Sequence, residues 1–197
     1  MDDKPVDLFD IESLDSLVRQ ELREPKVVSL NDFKIPVFKL PSNSVTITVN
    51  LPSEKYEKHI RSAIEPVGEI AEAKGYSGNF FTALYEAVKN AHEHGNKKDE
   101  NKHVLINHKI DDESAKIAIM DQGGVLEPDF IPFIIAHREI DIKEKFLNYY
   151  QFSGKQKPRS SNLGTGTSFM HAYADKVQYF KSSSGGLVVL LTKKKSQ

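Results

Sequence analysis

Apolar positions along this chain recur at two spacings, and the alternation between them lays out the elements. Val45-Thr-Ile-Thr-Val-Asn-Leu51 alternates at period two and predicts a strand. Pro52 and Ser53 end it, with Ser53 placed to cap a helix running to about Lys74 and Gly75 suited to the position just past its end. The next helix, predicted from Phe80 to Gly95 with Ser77 as its cap, carries an apolar face of Phe80, Leu84, Ala87, Val88 and Ala91. His103 to Ile110 and Ala115 to Met120 alternate again, as a hairpin turning through residues 111–114. After Ala174, Val177 to Phe180 and Gly186 to Thr192 predict a closing strand pair across residues 182–186.

Two stretches stand outside this alternation. Residues 1–44 predict an N-terminal arm: a short helix from a cap at Asp10 to Glu24, striped by Ile11, Leu14, Leu17, Val18 and Leu22, then prolines at 25, 36 and 41 and a linker over residues 41–44. Such a helix docks on a partner, on a second copy, or back onto its own domain. Residues 127–162, interrupted by Pro128, Pro132 and Pro158, form a long connection with a helix-like piece near Asp141 to Tyr150. A connection of that length is a lid, a binding loop or a disordered segment. Residues 45–197 therefore make the main domain.

Composition removes several classes of function. The chain has 197 residues, 39% of them hydrophobic and 28% charged, enough to bury one core. A formal net charge of −1 argues against a general nucleic-acid or anionic-membrane binder. The absence of cysteine excludes thiol catalysis, disulfides and thiolate metal sites. The N-terminus lacks the basic-then-apolar pattern of a secretory signal, and no stretch has the ~20 apolar residues of a membrane span, so the expected location is cytoplasmic.

Chemistry concentrates in three places. Glu86, Asn90 and His94 recur every four residues along the central helix, flanking its apolar face, either as one wall of a polar pocket or as a solvated flank. The Asn90 amide oxygen suits Mg²⁺, and a Glu one turn away can orient or deprotonate an attacking hydroxyl or water. His94 is expected to pack or hydrogen-bond near the helix end. Asp121, Gly123 and Gly124 end a strand: the carboxylate can accept from an exocyclic amine, and the glycines allow positive φ and close approach of a flat ring. Leu163, Gly164, Thr165, Gly166 and Thr167 open a helix whose free N–H groups and dipole favour phosphate. Each motif alone is weak, since turns and glycine pairs are common. His59, in HIRSAIEP, lacks the flanking sequence of a phospho-accepting histidine and reads as a surface residue.

Taken in order, a Glu-x-x-x-Asn helix, an Asp-x-Gly-Gly strand end and a Gly-x-Gly helix start resemble the ATP-binding domain shared by gyrase, the heat-shock chaperone, histidine kinases and mismatch-repair ATPases. The run EAVKNAHEHG most resembles the anti-sigma-factor serine/threonine kinases. The resemblance spans roughly residues 45–193. It implies an α/β (α+β) two-layer sandwich, a mixed, mostly antiparallel sheet with helices on one face. It implies ATP and Mg²⁺ as cofactors, with Glu86 catalytic, Asn90 on the metal, Asp121 reading adenine and Gly164 and Gly166 at the phosphates. Residues 127–162 would be the ATP lid, with Lys155, Lys157 or Arg159 as phosphate contacts or solvated charges. The implied activity is phosphorylation of a small anti-anti-sigma-like regulatory protein, with a sigma-like factor and a homodimer as further partners. The alternative is a nucleotide-gated binding module that sequesters its partner with little or no phosphoryl transfer. The N-terminal arm and the length of the lid depart from the compact kinases.

Overall fold

Five of the strands build one sheet. The computed structural model of the chain describes residues 28–29, 36–126, 130–139, 147–157 and 164–195. Strands β2 (Val45–Asn50), β3 (His103–Ile110), β4 (Ser114–Met120), β6 (Lys176–Lys181) and β7 (Leu187–Lys194) align in the order β2-β3-β4-β7-β6, every neighbour antiparallel. The parallel contribution is an isolated bridge, Val37 to Lys181, at the β6 edge. Strand β1 (Val28–Ser29) pairs antiparallel with β5 (Val125–Leu126) in a separate two-stranded ribbon. Residues 36–38 also lie back on the domain, since Phe38 N donates to Lys181 O and the Phe38 and Phe180 rings sit 5.6 Å apart. The helix expected over residues 10–24 lies outside the described residues.

Side chains alternate across the sheet, so its two faces have different partners. Helices α1 (Glu57–Ala73), α2 (Asn79–Asn90) and α5 (Gly166–Tyr173) cover one face. Ile60 and Ile64 from α1, Leu84 and Val88 from α2 and Met170 from α5 close on Ile106, Ile117 and Leu191 of the strands, all essentially inaccessible. This is the two-layer sandwich, with helices on one side. The opposite face holds a smaller apolar cluster of Ala118, Met120 and Val188, against which Phe38 and Phe180 pack.

Helix ends depart from the expected caps in instructive ways. Ser53 does not cap α1; its N–H and Oγ both donate to Glu100 Oε1, at 2.8 and 2.7 Å, and the helix begins after Tyr56 without a side-chain cap. A long-range carboxylate has outcompeted the local bond. Gly75 behaves as expected: at φ +83° it lets Gly75 N reach Glu72 O and Tyr76 N reach Ala71 O, the paired bonds of a Schellman ending. Ser77 stands one place before the cap position, Gly78, and its Oγ accepts from Asn79 N at 3.3 Å.

The central helix is not one regular helix. It is α-helical to Asn90 and then widens into a π turn over Ala91–Gly95, closed by Asn96 N donating to Ala91 O at 2.8 Å. Such turns cluster at functional sites. Asn96, fully buried, secures the end: Nδ2 donates to His103 O at 3.0 Å and Oδ1 accepts from Gln122 N at 2.8 Å. Gln122 in turn accepts from His103 N at 2.7 Å.

The long connection contains a helix that sequence reading did not predict, α3 (Phe130–Glu139). Pro132 has the look of a break in the sequence, yet it stands in the first turn, where its missing N–H has no intrahelical partner to lose. Of the helix-like piece expected over 141–150, residues 141–146 lie outside the described residues. A short helix α4 (Tyr149–Ser153) follows, capped by Asn148 Oδ1 and stopped by Gly154 at φ +68°. Phe133, fully buried, joins α3 to α4 through the rings of Tyr149 and Phe152 at 5.3 and 5.4 Å. Ser168 of α5 ties this unit to the domain by donating to Leu147 O at 2.6 Å, with His137 Nε2 3.0 Å from its Oγ.

Candidate functional site

One pocket lies between the end of α2, the C-terminal end of β4, the start of β7 with Tyr179 of β6, the start of α5 and the α3–α4 unit. Ile119, Met170, Tyr179 and Val189 give it an apolar floor suited to a flat ring. Glu86 and Asn90 project from α2; Gly164, Gly166 and Thr167 come from the start of α5; Asp121 closes the far end. The three motifs separated in sequence therefore converge on one cavity.

Asp121 is 5% exposed. Its Oδ1 accepts from Gly123 N at 2.9 Å and from Leu187 N at 3.1 Å, which leaves Oδ2 for a donor from a ligand. Burial pushes its pKa up to about 6 despite those two bonds, because desolvation penalises the carboxylate more than they repay. Two glycines press against it and a third presses against one of those two. A Cβ at Gly95 would stand 2.3 Å from Asp121 Oδ2, one at Gly186 1.7 Å from Asp121 O, and one at Gly123 1.8 Å from Gly95 O. Gly123 is thus required by backbone contact rather than by positive φ; only Gly124, at φ +70°, has the conformation expected of both.

At the other end, α5 begins directly over α2. A Cβ at Gly166 would lie 2.5 Å from Glu86 Oε2 and 3.6 Å from Asn90 Oδ1, so the glycine is what allows the helix start to sit on those side chains. Gly164 has φ +70°, and a Cβ there would meet the Tyr150 ring at 2.7 Å. Thr165 is the residue before α5 and its carbonyl accepts from Phe169 N at 3.1 Å; neither it nor Gly123 and Gly124 lines the cavity. Leu163 and Arg159 lie outside the described residues. Lys155 is exposed and donates to Tyr149 Oη at 3.4 Å, beside a ring that lines the pocket, while Lys157 is exposed.

Burial raises the Glu86 pKa, Lys89 opposing and Glu93 reinforcing the shift. A carboxylate so placed holds a proton more tightly than a solvated one, which suits a general base. Asn90 offers a neutral oxygen beside it, and no cluster of three acidic or histidine side chains is found among the described residues. An oxygen-only set with one protein ligand fits Mg²⁺ that is held chiefly by phosphates and water.

Sequence reading missed Lys89 and Glu93. Lys89 is 3% exposed and lines the pocket, its Nζ 4.0 Å from Glu93 Oε1. Glu93 also accepts a hydrogen bond from Tyr56 Oη, and burial, reinforced by that carboxylate, drives the phenol's pKa far upward. The π turn aims Glu93 and His94 at the cavity. His94 stays at its mouth, half exposed, with Nε2 3.9 Å from Glu93 Oε2.

Among the described residues no helix is long and apolar enough to cross a membrane. No curated protein matches the chain. The family model of the histidine kinase-like ATPase domain matches residues 57–193, from the first turn of α1 to the end of β7. With an antiparallel sheet, helices on one face and a pocket between them, the chain belongs to the histidine kinase-like ATPase domain family, an ATP-binding fold.

Proposed function

We propose that the protein is a Mg-ATP-dependent serine/threonine protein kinase of the anti-sigma-factor type, acting on a small regulatory protein in the cytoplasm. The observation that carries this reading is the stacking of the α5 start on Glu86 and Asn90, in the same cavity as Asp121. Asp121 would accept from the adenine amine, and the first N–H groups of α5 would face the phosphates. Asn90 would hold Mg²⁺, which neutralises charge on the transferring phosphoryl group. Glu86 would take the proton of the partner's hydroxyl as its oxygen attacks phosphorus and the bond to the leaving diphosphate breaks. Such catalysis is mostly positioning and charge stabilisation.

A second reading, a nucleotide-gated module that sequesters its partner, draws support from the α3–α4 unit, which adds apolar surface without adding chemistry; Phe152 is 42% exposed there. Glu86→Gln separates the two. The kinase reading expects wild type to phosphorylate a partner recovered by affinity and the variant to lose at least about a hundredfold in rate while binding Mg-ATP as before. Equal binding with no transfer by wild type would leave the sequestering module.

A further inference from the structure

We propose that Phe38 is a positioning residue for adenine selectivity: from the sheet face opposite the helices it braces the strand ends that aim Asp121 at the ligand. The inference rests on Asp121 accepting from the adenine amine. Asp121 is the first residue past β4 and takes its place from the chains around it. Its N–H donates to Leu187 O at 3.1 Å, and its Oδ1 accepts from Leu187 N at 3.1 Å. Those two bonds close the step beyond the last pair of the β4–β7 ladder, Met120 opposite Val188. The direction of Oδ2 therefore follows from where Met120 and Val188 lie.

Both of those side chains point away from the pocket, because successive residues of a strand face opposite ways. The second face of an antiparallel sheet is commonly wet. Here Ala118, Met120 and Val188 are buried on it. Among the described residues packed against them, Leu105, Phe180 and Leu190 belong to the sheet, and Phe38 comes from outside it. Two backbone bonds hold Phe38 in place: its own N–H donates to Lys181 O at 2.8 Å, and Lys181 N donates to Pro36 O at 3.0 Å. Lys181 ends β6 and leads into the hairpin that sets Gly186 against Asp121 O. Val28 and Ser29 pair with Leu126 and Val125, just past Gly123 and Gly124. The chain before Asp121, the chain after it and the hairpin opposite it are thus all held by residues 28–29 and 36–38. The phosphate end of the pocket has other supports, since Asn90 and Gly166 stand on α2 and α5. Shrinking Phe38 therefore loosens one end of the site. A hydrogen bond weakens steeply with angle, so a small tilt of Asp121 is felt first in discrimination of the base.

The test is calorimetry on the full chain, comparing the Kd of Mg-ADP with that of Mg-inosine diphosphate, which carries a carbonyl where adenine has its amine. One hydrogen bond to a charged acceptor corresponds to a preference of about ten- to a hundredfold for ADP in wild type. Phe38→Ala should cut that preference roughly tenfold. Phe38→Leu, which restores apolar volume, should keep it. A merely structural role would weaken both nucleotides by one factor and leave their ratio alone, and that result overturns the proposal. Hydrogen exchange in wild type covers the case in which Phe38→Ala does not fold. Brace and base contact are linked, so saturating Mg-ADP should slow exchange of the Phe38 and Lys181 amides more than saturating Mg-inosine diphosphate does. Equal protection by the two overturns the inference. Asp121→Asn distinguishes the failures. A preference lost there but intact in Phe38→Ala overturns the brace and keeps Asp121 as the adenine reader. A preference that is absent from wild type, or that survives Asp121→Asn, removes the reader and the brace with it.

Discussion

Asp121→Asn should make the nucleotide-free protein respond less to pH, and the size of the change follows from the burial of one carboxyl. The folded-state pKa of about 6 exceeds the ordinary 3.8, so the folded chain binds this proton more tightly than the unfolded chain does. Stability from that difference is fully present below the unfolded value and is lost as pH rises through the folded one. The full swing, a little over two pKa units, is worth about 3 kcal/mol. About half, roughly 1.5 kcal/mol, falls between pH 5 and pH 8. Asparagine keeps an acceptor for Gly123 and Leu187 but has no proton to lose. The stability of the variant relative to wild type should therefore rise by about 1.5 kcal/mol over that interval, or roughly 3–6 °C in Tm for a chain of this size. Urea unfolding of both proteins at the two pH values measures it, and the comparison removes every other titrating group. A relative stability that is flat, or that falls as pH rises, would refute the reasoning, because it would mean that the ionised carboxylate is not penalised in the fold. The same variant should lose most of the stabilisation by ATP, which for wild type is about 2.7 kcal/mol at a hundred times Kd.

Two further substitutions test how the pocket is held. Gly123→Ala drives a methyl into Gly95 O, 1.8 Å from the ideal Cβ, and should cost about 1–3 kcal/mol in urea unfolding and abolish nucleotide binding measured by calorimetry. An unaltered Kd would show that the backbone contact is dispensable. Phe133→Ala empties the centre of the α3–α4 unit; a loss of about 3–5 kcal/mol should appear as reduced hydrogen-exchange protection of α3 amides, with the sheet amides little changed. Equal loss of protection in β4 and α3 would show that the unit is not a separable part of the fold.

Periodicity carried most of the fold because β2 and α2 each turn an apolar side to the core and a polar side away from it, while β4, with Ile117 to Met120 all buried, is covered on both faces. What pattern could not carry was decided at long range. Ser53 was drawn to Glu100, forty-seven residues on, and left the helix it seemed to cap. Pro132 interrupts the pattern as a breaker would, and only the start of a helix at Phe130 makes it a first-turn residue. In the site, Glu86, Asn90, Asp121, Gly164, Gly166 and Thr167 were legible because their chemistry and order are particular, and all six line the cavity. Lys89 was not, since a lysine is ordinarily solvated and nothing in its spacing signals that this one is buried. Gly186 was hidden among the small residues of a hairpin, although its contact with Asp121 is as close as any.

The π turn at Ala91–Gly95 has a consequence for insertions and deletions. A bond from Asn96 to Ala91 encloses one residue more than the helical repeat does, so this turn is an α-helix carrying a single surplus residue. Excising one residue from the turn would remove the surplus and close it to a regular α turn, so Asn96 could keep its bond to Ala91 while only four residues remained to fill the five places between Asn90 and Asn96. Gly95 against Asp121, Glu93 on Tyr56 and His94 at the cavity mouth could not all keep their positions. A length change that most surface helices absorb would here erase the pocket, so the length of this stretch, five residues between Asn90 and Asn96, is as much a part of the site as any side chain in it.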